Sequence, residues 1–89
     1  MITKQITILN KAGLHTRPAA TLVKLSSSFK ADFFIIKEGY TINGKSIIGV
    51  MTLAAEQGST LELQFEGEDE TEACEKICDF FHRAFDEPK

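Results

Sequence analysis

A histidine, an arginine and a proline fall together in the segment Gly13-Leu14-His15-Thr16-Arg17-Pro18-Ala19. Proline suits the first turn of a helix, where its missing N–H has no partner to lose and its φ is already set. The segment therefore predicts a helix mouth with His15 at the entrance. Unpaired amides and the positive end of the helix dipole then face whatever the imidazole holds, an arrangement suited to phosphate. Arg17 adds a planar fork that matches phosphate oxygens and carries a permanent charge. A neutral imidazole has a lone pair able to attack phosphorus, and the resulting phosphoramidate is a good donor in turn. The plainer reading of the same spacing is a polar capping histidine followed by a solvated arginine.

A second group of residues lies in Asn43-Gly44-Lys45-Ser46-Ile47-Ile48-Gly49-Val50-Met51-Thr52-Leu53. Ser46 stands just before an apolar run and suits the N-cap of a short amphipathic helix. A basic residue, Lys45, stands directly before this hydroxyl. Ile47, Ile48 and Met51 are more apolar residues than so short a helix can bury under a small domain. Some are expected to face solvent near His15 as a docking patch, with Ala20 and Lys24 of the first helix and Lys45 around it.

The elements that must position these residues follow from periodicity. Ile2 to Ile8 alternates and reads as a half-buried strand, and Asn10 to Gly13 reads as a turn. The first helix runs to about Ser28, with Ala19, Leu22, Val23 and Ser26 inward. Ala31 to Lys37 is a strand, turned by Glu38-Gly39 into a short partner from Tyr40 to Ile42. Leu61, Leu63 and Phe65 alternate with Glu62, Gln64 and Glu66 in a further strand, which implies one dry face and one wet face. Phe34 and Ile36 should accordingly share the open face, and Phe33 and Ile35 the dry one. Asp69-Glu70-Thr71-Glu72 resembles a capping box opening a helix built on Ala73, Ile77, Phe80, Phe81 and Ala84. The order β-α-β-β-α-β-α predicts an α+β fold, a two-layer open-faced sandwich with a four-stranded antiparallel sheet and three helices on one face.

Length and composition bound the rest. The 89 residues suffice for one domain, residues 1–89, and not for two. Such a core is too small for a deep catalytic cleft, so the site is expected at the surface. A net charge of −3 argues against nucleic acid as a partner. No apolar run reaches the ~20 residues of a membrane span, and the opening Met-Ile-Thr-Lys-Gln lacks the regions of a signal peptide. A cytoplasmic location with no membrane insertion is expected. Cys74 and Cys78 lack the partners for a zinc site, so no metal and no cofactor is expected, and the two thiols read as small hydrophobes in a helix.

The segment Gly13 to Ala19, the run from Asn43 to Leu53 and the order of elements together resemble the HPr family, phosphocarriers of the bacterial phosphoenolpyruvate-dependent sugar phosphotransferase system. The resemblance covers nearly the whole chain. It departs at Thr16, where the family most often has alanine, and at Ala54, where it usually has glycine. It implies that His15 accepts a phosphoryl group through Nδ1 from phosphorylated enzyme I while Arg17 steadies it; the hydroxyl of Thr16, where the resemblance departs, is placed to add a hydrogen bond to the phosphate or to shift the cap. The recipient would be an EIIA-type protein, and the protein would be a monomeric carrier rather than an enzyme. It also implies that Ser46 is the regulatory site of an HPr kinase/phosphorylase. The nearest alternative is a purely regulatory paralogue acting through Ser46, but such paralogues lack the histidine that this chain keeps. A small phosphatase of the acylphosphatase kind would need a glycine-rich phosphate loop, and a ferredoxin-like metal module would need paired cysteine ligands. Neither feature is present.

Overall fold

The computed structural model describes all of residues 1–89. Four strands, β1 (Ile2–Thr7), β2 (Asp32–Lys37), β3 (Tyr40–Asn43) and β4 (Thr60–Glu66), form one sheet in the order β1-β4-β2-β3. Every neighbouring pair is antiparallel. Three helices, α1 (Thr16–Ser27), α2 (Ile47–Thr52) and α3 (Glu70–His82), cover one face of it.

The register follows from the alternation in β4. Leu61, Leu63 and Phe65 point to the helices and pair with Ile6, Lys4 and Ile2 of β1, while Leu63 and Phe65 meet Ile35 and Phe33 of β2. Phe33 and Phe65 stack with ring centroids 5.0 Å apart. The core joins these residues to Ala19 and Leu22 of α1, Val50 of α2 and Ala73, Ile77 and Phe81 of α3. On the opposite face Thr3, Gln64, Phe34 and Asn43 form one row, and Gln5, Glu62, Ile36 and Thr41 the next. Phe34 and Ile36 lie half-exposed there, as their phase predicts.

Two turns show how the backbone is steered. Glu38 (φ 50°) and Gly39 (φ 85°) both take left-handed values, the pattern of the tight two-residue hairpin whose twist matches that of its strands. Gly13 has φ 71° and lies so close to the Ala55 carbonyl that a Cβ would collide with it. The loop carrying His15 is thereby pressed against the end of α2, and Leu14 N–H donates to that same Ala55 oxygen at 2.9 Å.

One expectation is corrected at the start of α3. Asp69 occupies the N-cap position but makes no side-chain bond to its own helix. Its carboxylate instead accepts from the amides of Lys30 (2.9 Å) and Ala31 (2.7 Å), tying the entry to β2 onto α3. Glu70 reaches back to the Gly67 amide. Cys74 is buried and Cys78 half-buried, both free, and burial followed by the neighbouring Cys74 pushes the Cys78 thiol up to about 12. A thiol held protonated in this way is chemically quiet.

Candidate functional site

His15 is the N-cap residue of α1, with extended backbone and a carbonyl that accepts from Ala19. Its side chain does not cap the helix. The ring is turned outward and is 42% exposed. Thr16 and Arg17 contribute first-turn amides with no partner inside the helix, and Pro18 has none to contribute. Arg17 is exposed, and its guanidinium makes no hydrogen bond or ion pair. A histidine, unspent amides and a free guanidinium are thus gathered at one helix mouth.

A residue that sequence reasoning missed completes the site. The His15 Nε2–H donates to both carboxylate oxygens of Glu87, at 3.0 and 3.1 Å, across 72 residues of sequence. Glu87 is itself held by Asn10, whose Nδ2 donates to Glu87 Oε1 at 2.8 Å and to the Gly13 carbonyl at 2.9 Å. Both acceptors are oxygens, which fixes the orientation of the Asn10 amide. The opposite atom, Asn10 Oδ1, is buried without a partner. The bond from His15 is the main reason that the Glu87 carboxyl is held below its ordinary value, with Asn10, the charge of His15 and the nearby Arg17 adding to it against a partial loss of solvent.

Glu87 reaches His15 through an unusual backbone path. After α3 ends, Ala84, Phe85 and Asp86 take φ of 54°, 56° and 59°, three consecutive left-handed residues of which none is glycine. Each such residue costs roughly 1–2 kcal/mol, so the turn persists only because its surroundings hold it. Phe85 is buried against Phe80 and Phe81, with centroids 5.1 and 5.0 Å away. Arg83 pairs with Asp79 and Asp86 on either side of the turn, and Lys11 N–H donates to the Pro88 carbonyl. The only sequence signals were a phenylalanine just past the helix and a polar residue, Asn10, in a turn.

A shallow depression of about 270 Å³ opens beside His15. Leu14, His15 and Thr16 form one side, and Met51, Ala54 and Ala55 the other. Ile47 (40% exposed), Ile48 (76%) and Met51 (41%) present the apolar surface expected of α2. Ala20 and Lys24 are exposed on α1, which packs against α2. Lys45 departs from expectation. It is half-buried, and its ammonium donates to the Phe29 carbonyl at 2.8 Å, so it is taken out of the ring of cations around the patch.

Ser46 is the N-cap of α2, its hydroxyl accepting from the Gly49 amide at 3.2 Å. It lies at the far end of the helix pair from His15, because Ser26 near the end of α1 donates to the Gly44 carbonyl at 3.0 Å. Most of α1 separates the two residues, on the order of 15 Å at 1.5 Å per residue.

The PTS HPr component phosphorylation site family matches residues 2–83. The chain belongs to the HPr family. It is 42% identical over 87 residues to the phosphocarrier protein HPr of Treponema pallidum, covering 98% of this chain and 99% of that one. It is 43% identical over 83 residues to the HPr-like protein Crh of Halalkalibacterium halodurans, covering 93% and 99%. Among solved structures, HPr-C-His from Thermoanaerobacter tengcongensis superposes with a TM-score of 0.96 over the full length of both chains, at 39% identity. HPr proteins are carriers rather than enzymes. No helix is long and apolar enough to cross a membrane.

Proposed function

We propose that this chain is a cytoplasmic phosphocarrier, a single domain that takes a phosphoryl group from phosphorylated enzyme I onto His15 and passes it to EIIA-type proteins of the sugar phosphotransferase system. The observation that carries the reading is the outward-facing His15 at the mouth of α1, beside unpaired amides and the unpaired Arg17. The lone pair of the ring attacks phosphorus, the bond to the donor's histidine breaks, and Arg17 with Thr16 receives the phosphoryl oxygens. The reverse sequence delivers the group to the acceptor. The exposed apolar surface of α2 with Ala20 and Lys24 supplies a docking face that partners meet in turn.

Ser46 has a regulatory part in this proposal, as the target of an HPr kinase/phosphorylase. Its distance from His15 exceeds the ~8 Å screening length of physiological salt, so phosphoserine acts on the docking face more than on the imidazole. Incubation with enzyme I and phosphoenolpyruvate, followed by assay for acid-labile phosphate, tests the carrier reading. His15→Ala should take up none while keeping its fold. Uptake by that variant would remove His15 from the scheme.

A further inference from the structure

We propose that Glu87 is a positioning residue that decides which nitrogen of His15 is phosphorylated, by accepting a hydrogen bond from Nε2–H and so leaving only Nδ1 open. The inference rests on the carrier reading and adds to it a residue outside the segment, 2–83, that the family match covers.

An imidazole has two nitrogens of similar nucleophilicity, and an exposed one can be phosphorylated at either. In this site the choice is removed. Both Glu87 oxygens lie 3.0–3.1 Å from Nε2, a two-pronged acceptor that keeps the proton there and excludes a phosphorus atom from that side. Nδ1 makes no hydrogen bond, so in the neutral ring with its proton on Nε2 it is the nitrogen that carries the lone pair. Glu87 is not a loose side chain that happens to lie near, since only 14% of it is exposed. Asn10 grips it at the cost of its own buried oxygen, and a left-handed turn anchored by Phe85 delivers it. Such spending of unpaired polar groups and backbone strain concentrates where geometry matters to function. When Nδ1 attacks, the new bond is P–N on the ring, the bond from phosphorus to the donor nitrogen breaks with its electrons leaving on that nitrogen, and the ring proton stays on Nε2 against Glu87.

Phosphoramidate, a small donor whose leaving group is ammonia, tests this without a partner protein. The isomers of phosphohistidine are told apart by phosphorus–nitrogen correlation in nuclear magnetic resonance of the folded, labelled protein. Wild type should carry phosphate at Nδ1. Glu87→Ala should raise the ratio of the Nε2 to the Nδ1 isomer by about tenfold or more, the equilibrium equivalent of losing one hydrogen bond to a charged acceptor. Glu87→Gln keeps an acceptor oxygen and should remain close to wild type. An isomer ratio unchanged in Glu87→Ala, or one as high in Glu87→Gln as in Glu87→Ala, would overturn the assignment. Enzyme I with phosphoenolpyruvate separates the two readings. Labelling of wild type with no shift of isomer in Glu87→Ala defeats the role of Glu87 alone, whereas failure to label wild type defeats the carrier reading and this one with it.

Discussion

Asn10 and Glu87, 77 residues apart in sequence, are joined by a 2.8 Å hydrogen bond that links the turn after the first strand to the segment beyond the last helix. Through it a fully buried amide governs an exposed imidazole that it does not itself touch. The first prediction follows from this link. Asn10→Ala leaves the Gly13 carbonyl and Glu87 each short of a donor and should destabilise the fold by about 1–3 kcal/mol. Asn10→Asp should be worse, because it sets a carboxylate against two acceptor oxygens. Urea unfolding checks both, and a midpoint unchanged in Asn10→Ala would show that the link carries no stability.

Acid should weaken the protein in a defined window. The carboxyls of Glu87, Asp69 and Glu70 are all held below their ordinary values, chiefly by the bonds from His15, Lys30 and Gly67 respectively. A carboxyl whose folded value is lowered contributes stability that is fully present above its unfolded value and is lost as pH falls through the folded one. Stability from these groups is therefore level near neutrality and declines once the pH drops below 4.5, the ordinary glutamate value. Denaturation midpoints between pH 7 and pH 3 should show this slope, and Glu87→Gln should flatten it.

Ala54 marks a place where this chain can be improved. It ends α2 with φ 48°, a left-handed conformation that penalises a Cβ by roughly 1–2 kcal/mol, against about 0.5–1 kcal/mol for the greater freedom of glycine in the unfolded chain. Ala54→Gly should stabilise by ~0.5–1 kcal/mol, read as a raised melting temperature. The glycine usual at this position in the family has its physical reason in that angle.

Ser46→Asp should separate docking from folding. Aspartate is as good an N-cap as serine, and its charge meets the positive end of the α2 dipole, worth ~0.3–1 kcal/mol. The melting temperature should not fall. Acceptance of phosphate from enzyme I should slow through a raised Michaelis constant, ~10–100-fold if the interface loses 1.4–2.8 kcal/mol, with partial recovery in salt. Unchanged kinetics for authentic phosphoserine at this position would remove the regulatory role.

Much of this molecule is legible in its sequence, because β4 alternates cleanly and α1 and α2 carry their start signals. Leu61, Leu63 and Phe65 fix the phase of the sheet, and Ser46 and Pro18 fix two helix mouths. His15 and Arg17 are legible for a related reason, since both lie on one turn of one helix, where spacing alone brings them together. Glu87 and Asn10 are not, because nothing local links residues 77 apart and the left-handed turn before Glu87 violates the preferences of Ala84, Phe85 and Asp86. Asp69 misleads for the same reason. Its position is that of a cap, yet the amides of Lys30 and Ala31, brought from far along the chain, compete for its oxygens and win. Lys45 is likewise drawn from the docking face by a carbonyl that only the folded chain supplies.

Three contacts around His15 join residues distant in sequence, Leu14 to Ala55, Asn10 to Glu87 and His15 to Glu87. Contacts that close long loops tend to form late, after hairpins and helices have appeared. A chain that has made only α1 and the β2–β3 hairpin already displays the imidazole, but as an ordinary side chain with both nitrogens open. During refolding, selectivity for Nδ1 should therefore emerge after helical circular dichroism has recovered, making the chemistry of one ring a clock for the last stage of assembly.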